Sequence, residues 1–466
     1  MAHIEIEPRA AFVIDSLHGA GHAAYAVGGC VRDALLGRTP NDWDVCTDAV
    51  PERVIEVFRT ENCIPTGIRH GTVTVRAQGM SVEVTTFRTE GAYSDGRHPD
   101  SVAFVGDVRE DLARRDFTVN AMAYCNEEGL IDPFGGQADL EWGILRAVGD
   151  PYERFSEDAL RILRLFRFGA KLGFVLEEET RRAALAQRAN LSRVSVERVF
   201  SELVKLLVSK KPGAYLPFEL TQVCLPEATS GGERAYARRL RAVDASPAQI
   251  EVRLAALLCD AGEKNVRNAL TRLHCSRALA DAVALLVRER DIEQAEEEKA
   301  LRVQARRCLS RMALEDIERI KALRDARIVA CAAEWDAHVE ADAAGQAVNG
   351  TGTENREARI AAGDACTVRG DAVQGDLAKL LACAQALNRA GECCRMVQLA
   401  VDGRQLKEAF GVSGPKLGSL LAWLLECVIL EEVPNESDVL LRAARAHLSR
   451  DAHRDGGAGD EERISG

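Results

Sequence analysis

Residues 28–44 constrain the fold and chemistry of this chain more than any other stretch. They read Gly-Gly-Cys-Val-Arg-Asp-Ala-Leu-Leu-Gly-Arg-Thr-Pro-Asn-Asp-Trp-Asp. The pattern joins a glycine pair and Arg32 to an Asp-x-Asp step formed by Asp42 and Asp44. Residues 24–27, directly before it, are suited to a β-strand that leads into the glycines.

The glycine pair, Gly28 and Gly29, predicts a place where the backbone approaches a ligand closely. Without Cβ atoms, these residues let backbone N–H groups approach a triphosphate. Arg32 comes shortly after, and its forked donors are suited to the same phosphates. A glycine pair alone is equally typical of an ordinary turn, so the prediction depends on the acidic residues further along the motif.

The Asp-x-Asp step adds a candidate metal site. Residues two apart on a β-strand point to the same side, so the carboxylates of Asp42 and Asp44 are expected to converge. Hard divalent cations such as Mg²⁺ bind oxygen ligands of this kind and often bridge substrate phosphates. An exposed acidic strand end is the ordinary alternative. Together with the glycines and Arg32, the step predicts a nucleotidyl-transfer site.

Length and composition bound the class of protein. At 466 residues the chain is too long for one core, so about two to four domains are expected. Its content of 47% hydrophobic and 28% charged residues is typical of a soluble protein. No basic and apolar leader opens the sequence, and the longest apolar run, near residues 420–430, is interrupted by Glu426. We therefore expect a cytoplasmic protein with no membrane association.

Net charge and the spacing of the cysteines further limit the classes of protein to which the chain could belong. The net charge of −12 argues against a nonspecific nucleic-acid coat but is compatible with a localised basic track. The 14 cysteines form no Cys-x-x-Cys pair, which predicts buried apolar thiols and no metal finger. Basic residues cluster in one stretch, at Arg161, Arg164, Arg167, Lys171, Arg181, Arg182, Arg188, Arg193 and Arg198.

Strand-like alternation is confined to about the first 147 residues. Residues 72–75 and 82–87 alternate on either side of Gln78-Gly79 and predict a hairpin. Residues 51–58 predict a helix with Asp48 as a candidate N-cap. After about residue 150 the sequence is rich in Leu, Ala, Arg and Glu and predicts helices almost throughout. The predicted fold class is α+β, with a mixed β-sheet and helices followed by a long all-α region.

A second motif, Arg-Arg-Asp-Phe-Thr-Val-Asn, occupies residues 114–120. Arg115 is a candidate phosphate clamp, while Asp116 and Asn120 would hold either a sugar or the local fold. A helix start with solvated arginines is the alternative for this motif. The next segment predicts a turn and then a helix, and we assign its Asp132 no chemistry.

Residues 155–168 predict one helix on which Asp158, Arg161, Arg164 and Arg167 recur every three residues. This spacing gives a stripe that rotates slowly around the helix. A salt-bridged helix face is the ordinary interpretation of such a stripe.

A more specific interpretation is base recognition. Cytosine and adenine each show an amino group beside an unprotonated ring nitrogen. A carboxylate with a guanidinium, Asp158 with Arg161, would therefore admit CTP and ATP. Uracil and guanine place a carbonyl where the amino group should be, which leaves buried groups mispaired at a cost of a few kcal/mol.

Taken in order, these motifs resemble class II CCA-adding enzymes, a bacterial type within the tRNA nucleotidyltransferase and poly(A) polymerase family. The resemblance is strong across residues 24–210, including a neck-like segment at 194–198. It is weaker through the helical body and returns near residues 399–404 and toward His447. It implies a nucleotidyltransferase head followed by an elongated all-α neck, body and tail. The implied division is head 1–147, neck 148–210, body 211–337, loose insert or linker 338–371, tail 372–448 and disordered tail 449–466.

The resemblance also implies residue roles. Asp42 and Asp44 would be catalytic and hold magnesium, and Gly29 and Arg32 would contact the nucleotide. Glu83 stays open between a third carboxylate of the metal site and a plain strand charge. The base and phosphates would be bound by Arg115, Asp158, Arg161, Arg164 and Arg167.

The implied reaction is template-independent addition of C, C and A to the 3′ end of tRNA. CTP and ATP would be the substrates, pyrophosphate the product, and two magnesium ions the cofactors. The stretch between Phe87 and Val102 resembles the flexible loop of enzymes that add the terminal A. Residues 67–72 resemble the tRNA-specific type. An A-adding specialist and a poly(A) polymerase remain alternatives, and no obligate protein partner is implied.

One departure concerns hydrolase chemistry. Residues 254–262 resemble the His-Asp segment of metal phosphohydrolases, but Cys259 stands where the histidine would be. The segment therefore predicts a helix core. His70 and His98 are single loop histidines for which solvated or structural roles are expected.

Overall fold

The computed structural model of the chain describes residues 4–77, 79–91, 102–346 and 377–457. They divide into two compact units. The first consists of Met1–Asp244 and Ala248–Asp281, and the second of Ala245–Pro247 and Ala282–Gly466. The predicted flexible loop falls largely on residues 92–101, which lie outside the described residues, as does His98.

Eleven strands occur in the described residues, all before position 177. They are β1 Ala24–Val27, β2 Asp44–Thr47, β3 Cys63–Gly67, β4 Thr72–Ala77, β5 Met80–Thr86, β6 Arg88–Glu90, β7 Val102–Phe104, β8 Ala123–Cys125, β9 Gly129–Ile131, β10 Ile144–Leu145 and β11 Val175–Leu176.

Seven of these strands form one mixed sheet in the order β3-β4-β5-β2-β1-β8-β9. Only β2 and β5 pair in parallel, and the other neighbours are antiparallel. Strand β1 is buried along its whole length because the sheet continues on both of its sides. The sheet therefore places the start of β2 beside β5, at the centre of the first unit.

Helices in the first unit surround the sheet and continue beyond it. They are α1 Pro8–Gly19, α2 Gly29–Leu35, α3 Pro51–Phe58, α4 Val108–Ala113, α5 Gly136–Trp142, α6 Pro151–Glu157, α7 Leu160–Leu172, α8 Glu178–Ala186, α9 Val196–Leu207, α10 Phe218–Cys224, α11 Gly232–Ala245, α12 Ile250–Leu257, α13 Glu263–Arg272 and α14 Arg277–Glu289, the last of which runs into the second unit.

The second unit is helical in its described residues. Its helices are α15 Glu298–Arg311, α16 Leu314–Gln346, α17 at residues 377–389, α18 Gly403–Phe410, α19 Pro415–Ile429 and α20 Ser437–Gly457. Leu406, Leu424 and Leu440 of α18, α19 and α20 are fully buried and share one apolar cluster. The predicted α+β class, a mixed-sheet head before a helical remainder, is confirmed.

Several local predictions are confirmed, and one predicted helix N-cap is wrong. Strands β4 and β5 form the predicted hairpin, and α3 has the predicted bounds. Asp48 does not cap α3, whose N-cap residue is Val50. The Asp48 carboxylate instead pairs with His22, with 3.1 Å between Oδ1 and Nδ1.

The single helix predicted over residues 155–168 is wrong, because the chain breaks at Asp158. Asp158 has φ −131° and ψ 103°, and it lies between α6 and α7. Its Oδ1 accepts a hydrogen bond from the Leu160 N–H at 2.9 Å. The short acidic side chain thus satisfies a backbone donor at the start of α7, as residues before helices commonly do.

Two segments predicted to be irregular are partly helical. Helix α16 continues through Gln346, into the loose segment predicted at 338–371, and residues 347–376 lie outside the described residues. Helix α20 continues to Gly457, into the tail predicted to be disordered from 449, and residues 458–466 lie outside the described part.

Cys259 is buried in the turn that follows α12, so the helix predicted over residues 254–262 continues only to Leu257. The neighbouring Asp260 carboxylate pairs with Arg239, with 2.6 Å between Oδ2 and Nη1.

No single helix in the described segments combines the length and apolar composition needed to cross a bilayer. Helices α18 and α19 reach that composition only when counted together, and they meet at 113°.

Candidate active site

Three carboxylates line one cleft beside the centre of the sheet. Asp44 is the first residue of β2, and Glu83 of β5 stands opposite it in the parallel register. Asp42 lies two residues before Asp44, and all three residues line one cleft. Because β2 begins only at Asp44, strand alternation does not orient Asp42, and that part of the prediction is wrong. The acidic pair nevertheless lies together in the cleft.

These carboxylates influence one another. Burial raises the pKa of Asp44, and the negative charges of Glu83 and Asp42 raise it further, while Arg115 opposes the change. Like charges that raise the pKa of Asp44 in one cleft favour a cation near them. The side chains offer only oxygen donors, and that donor set fits a hard divalent ion.

The cleft has a volume of about 820 Å³. All nine site residues predicted from the sequence line it, which brings together motifs that are more than 100 positions apart. Its lining is rich in cations as well as carboxylates: Arg32, Arg88, Arg114, Arg115, Arg161, Arg164, Arg167, Lys171 and Arg198.

The glycine pair shapes the floor of the cleft. Gly28 has φ +81°, in the left-handed region that favours glycine. A Cβ at this position would lie 2.8 Å from Nη1 of Arg115. Helix α2 begins at the next residue, Gly29. The absence of a side chain at Gly28 therefore makes room for the Arg115 guanidinium.

Arg32 is buried, and its guanidinium group pairs with Asp33 and Asn120. Its Nε and Nη2 contact Oδ1 of Asp33 at 2.8 and 2.7 Å. Its Nη1 donates to Oδ1 of Asn120 at 2.5 Å. A cation that is desolvated and held in this way keeps a fixed position at the cleft.

Asn120 links Arg32 to Asp116. The Asn120 Nδ2 donates to Oδ1 of Asp116 at 3.0 Å, and Arg164 Nε donates to Oδ2 of the same carboxylate at 2.7 Å. Burial alone would raise the pKa of Asp116, but Arg164 and Asn120 together lower it to about 2. Asp116 and Asn120 were expected to hold either a sugar or the local fold. These contacts stabilise the local fold.

Arg115 and Arg114 share one partner, Asp111 of α4. Arg115 Nη2 lies 3.2 Å from Oδ2, and Arg114 Nη2 lies 2.7 Å from Oδ1. Asp111 is completely buried; burial would raise its pKa, but the two guanidinium groups lower it. The Arg115 Nε is buried without a hydrogen-bond partner among the described residues.

Asp158 and Arg161, the pair predicted to recognise the base, have additional partners. Oδ2 of Asp158 accepts from Arg198 Nη2 at 3.3 Å. Arg161 Nη1 donates to Glu157 at 2.5 Å and to the Arg154 carbonyl at 3.2 Å, and Nη2 donates to the Arg114 carbonyl at 2.9 Å. Both residues line the cleft, and both are anchored by neighbours that the sequence stripe did not reveal.

The turn around Asp132 is structural, as predicted. Its two carboxylate oxygens accept the N–H groups of Gly136 and Gln137 at 2.7 and 2.8 Å, at the start of α5. His70 lines the cleft from the short turn at Ile68–His70, and its carbonyl accepts a hydrogen bond from Arg88.

Two family models match this chain. One, described as the poly A polymerase head domain, covers residues 24–146. The other, described as a probable RNA and SrmB-binding site of polymerase A, covers residues 173–228.

Curated relatives match the same region. The CCA-adding enzyme of Lactiplantibacillus plantarum is 48% identical over 209 residues, which is 45% of this chain and 51% of the relative. That of Geobacillus sp. strain WCH70 is 51% identical over 195 residues, 42% of this chain and 48% of the relative. The chain thus spans about half the length of the curated relatives that it matches.

A solved structure extends the similarity across the fold. The crystal structure of the Bacillus stearothermophilus CCA-adding enzyme in complex with CTP superposes with a TM-score of 0.67 at 29% identity. The match covers 97% of this chain and 100% of that one. Residues 24–146 thus match a poly A polymerase head domain, and the chain is similar in fold and sequence to CCA-adding enzymes.

The family matches cover the cleft unevenly. Asp42, Asp44, Glu83 and Arg115 fall inside the head-domain match, whereas Asp158 and the three arginines of α7 lie between the two family models. The support for the roles of these four residues is therefore the geometry of the cleft and the pairwise similarity to CCA-adding enzymes.

Sequence reasoning gave no role to Asp111, which pairs with two cleft arginines, or to Phe168 and Arg198 of the cleft, and it left the role of Glu83 open. Asp111 lies three and four positions before Arg114 and Arg115, a spacing that allows pairing on a helix. Phe168 and Arg198 are ordinary residues of helices in the sequence, and only their tertiary contacts single them out. Glu83 had a local signal, its place in an alternating strand, but its partner Asp44 is 39 positions away.

Proposed function

We propose that this chain adds C, C and A in that order to the 3′ end of tRNA, using CTP and ATP and releasing pyrophosphate. The observation that carries the proposal is the pairing of Asp44 with Glu83 near Asp42, in a cleft that eight arginines also line. Carboxylates for metal and cations for phosphates are the parts that phosphoryl-type transfer needs. The similarity to CCA-adding enzymes supports the same assignment.

Asp42, Asp44 and Glu83 would hold Mg²⁺. Their oxygen-only donor set and the raised pKa of Asp44 support that choice, because a bound divalent cation offsets the repulsion among the carboxylates. When bound, magnesium ions activate the attacking hydroxyl and stabilise the leaving oxygen.

In the proposed reaction, the 3′-hydroxyl oxygen of tRNA forms a bond to the α-phosphorus of the nucleotide. The bond from that phosphorus to its bridging oxygen breaks, pyrophosphate leaves, and the hydroxyl proton passes to solvent. The arginines contribute by position and charge: Arg32, Arg115, Arg164 and Arg167 would contact the triphosphate. No covalent enzyme intermediate is required.

Selection of C and A over U and G would rest on Asp158 and Arg161. A carboxylate has about four acceptor positions, so Asp158 can receive a base amino group in addition to Leu160 and Arg198. The three hydrogen bonds of Arg161 use three of about five N–H groups, which leaves donors for the ring nitrogen. Protein side chains would then serve as the template.

The helices after the head would bind the acceptor arm of tRNA through phosphate and shape contacts. The second family match, to a probable RNA-binding site, supports this for residues 173–228. Such binding weakens with salt, because it releases counterions from the nucleic acid.

The direct test is nucleotide addition by the purified chain. It would be incubated with Mg²⁺, CTP and ATP, singly and together, on tRNAs that end before CCA, at C, or at CC. The control is the double variant Asp42→Ala/Asp44→Ala. Completion of CCA on all three tRNAs, abolished in the control, is the expected result.

Other outcomes identify the alternatives. Growth of the CC-ending tRNA alone would assign an A-adding specialist, and long A tails would assign a poly(A) polymerase. Absence of any addition, with intact folding, would overturn the proposal and favour a non-catalytic RNA-binding protein.

A further inference from the structure

One aromatic ring lies among three of the cleft arginines. The guanidinium carbon of Arg167 is 3.9 Å from the centroid of the Phe168 ring, that of Arg164 is 5.2 Å away, and that of Arg32 is 5.3 Å away. All three distances are within the range in which a cation is attracted by the ring quadrupole. Phe168 itself is buried and lines the cleft.

The three cations reach this ring from different parts of the first unit. Arg164 and Arg167 are on α7 with Phe168, whereas Arg32 is on α2, more than 130 positions earlier. Arg164 and Phe168 are four residues apart and therefore share a helix face. The ring thus joins the glycine-pair motif to the helical stripe.

Each of the three cations also has its own carboxylate: Arg32 pairs with Asp33, Arg164 with Asp116 and Arg167 with Glu202. Asp116 and Glu202 are buried. Three guanidinium groups around one ring repel one another, and separate counter-charges reduce that repulsion. The arrangement therefore holds three cations close together before any anion arrives.

The ring is held by a second aromatic residue. Phe117 packs against Phe168 edge to face, with centroids 5.9 Å apart and ring planes at 76°. Phe117 is completely buried and follows Asp116, the partner of Arg164. Edge-to-face packing of this kind orients the ring as well as burying it.

We propose that Phe168 is a positioning residue, whose ring sets the spacing of Arg32, Arg164 and Arg167 for the triphosphate of the incoming nucleotide. This inference rests on the proposed function, which identifies the anion as a nucleoside triphosphate. Phe168 acts through the arginines and does not touch the reacting atoms. Its loss should therefore weaken triphosphate binding more than it slows the chemical step.

The test separates ring electrostatics from packing. Phe168→Leu removes the ring, and replacement of Phe168 by mono-, di- and trifluorophenylalanine weakens the quadrupole at nearly constant shape. The matched control is Phe166→Leu, since Phe166 is equally buried on α7 but is not among the described residues that line the cleft. Each protein is measured for CTP and tripolyphosphate affinity with Mg²⁺, for KM and kcat, and for unfolding free energy.

We expect Phe168→Leu to raise the CTP dissociation constant and KM by about three- to tenfold, with kcat changed by less than about twofold. Tripolyphosphate affinity should fall by the same factor, because the effect acts through the phosphates. The logarithm of the CTP dissociation constant should rise steadily along the fluorinated series. Phe166→Leu should lower stability similarly and leave CTP affinity unchanged.

Two results would overturn the inference: trifluorophenylalanine at 168 binding CTP as tightly as phenylalanine, or equal affinity losses in Phe168→Leu and Phe166→Leu. Failure of the proposed function is distinguishable from both. A chain that adds no nucleotide to tRNA contradicts the function, whereas the CTP and tripolyphosphate affinities still decide the role of Phe168.

Discussion

Arg32 donates a buried hydrogen bond to the side-chain oxygen of Asn120, 88 positions later, at a distance of 2.5 Å. Asn120 passes the connection to Asp116 through its amide nitrogen. The glycine-pair motif and the Arg-Arg-Asp motif, which look independent in the sequence, are therefore one hydrogen-bonded unit.

Substitution of Asn120 by alanine should destabilise the fold and weaken nucleotide binding. It leaves a buried Arg32 donor and a buried Asp116 acceptor without their shared partner, which costs about 2 kcal/mol or more. Denaturant unfolding measures the first effect, and CTP titration the second.

Asn265→Ala is the matched control, because the Asn265 amide makes an exposed hydrogen bond to the Ala261 carbonyl. Its expected change is within about 0.5 kcal/mol. Equal losses in the two variants would contradict the bridging role of Asn120.

The ion pair of Asp116 with Arg164 should make stability depend on acid pH. The pKa of Asp116 is lowered from 3.8 to about 2, so its contribution is fully present above about pH 4 and is lost as pH falls toward 2. The contribution is about 2 kcal/mol. Asp116→Asn should therefore be less stable at neutral pH, and the difference should shrink between about pH 4 and 2.

Urea unfolding at a series of pH values tests this, with the exposed Asp15→Asn as control. If the stability curves of Asp116→Asn and the unmodified chain run parallel down to about pH 2.5, the ion pair does not stabilise the fold.

Glu83→Gln should raise the magnesium concentration needed for half-maximal nucleotide addition. Loss of one charged ligand from three is expected to cost tenfold or more, about 1.4 kcal/mol. Without metal, the same variant should be at least as stable as the unmodified chain, since the repulsion of Asp44 by Glu83 is removed.

A magnesium titration of the addition rate, together with unfolding in a chelating buffer, gives both values. Glu52→Gln on the exposed face of α3 is the control. An unchanged magnesium requirement in Glu83→Gln would leave Glu83 as a plain strand charge.

Asp158→Ala should relax discrimination against UTP and GTP. Removal of the carboxylate would eliminate the proposed acceptor for the amino group of cytosine or adenine, together with the penalty on a base carbonyl in that position. The measurement is the ratio of kcat/KM for CTP and ATP to that for UTP and GTP.

Loss of the hydrogen bond from the Leu160 N–H to Asp158 must be separated from this effect. Asp150→Ala removes the cap of α6, where Asp150 accepts from the Tyr152 N–H at 2.7 Å, and it should leave selectivity unchanged. A slower Asp158→Ala enzyme with unaltered selectivity would refute base recognition by Asp158.

The sequence predicted the elements better than the contacts. The hairpin of β4 with β5 and the bounds of α3 came from alternation and helical period, which are local properties. Which side chains contact one another depends on the tertiary structure. No local pattern indicates that Gly28 makes room for Arg115. The break at Asp158 was missed because the helical pattern continues through it, whereas the Asp158 carboxylate accepts a local hydrogen bond from the Leu160 N–H.

Some residues of the cleft could be predicted from the sequence, and others are identified only by their tertiary contacts. Asp42, Asp44 and Arg32 stand in one short motif, so their types and spacing suffice to suggest a site. Phe168 carries no such signal, since an apolar residue on an amphipathic helix is expected whatever its role. Its three cationic neighbours are apparent only once α2 and α7 are in place.

Two of the acceptors that hold Arg161 are main-chain carbonyls, those of residues 154 and 114. A carbonyl of the backbone remains whichever side chain its residue carries. The anchor of Arg161 therefore depends on the path of the backbone at these two positions and not on their side chains. Residue 114 thus serves the cleft through two separate groups: its carbonyl holds Arg161, and its guanidinium pairs with the buried Asp111.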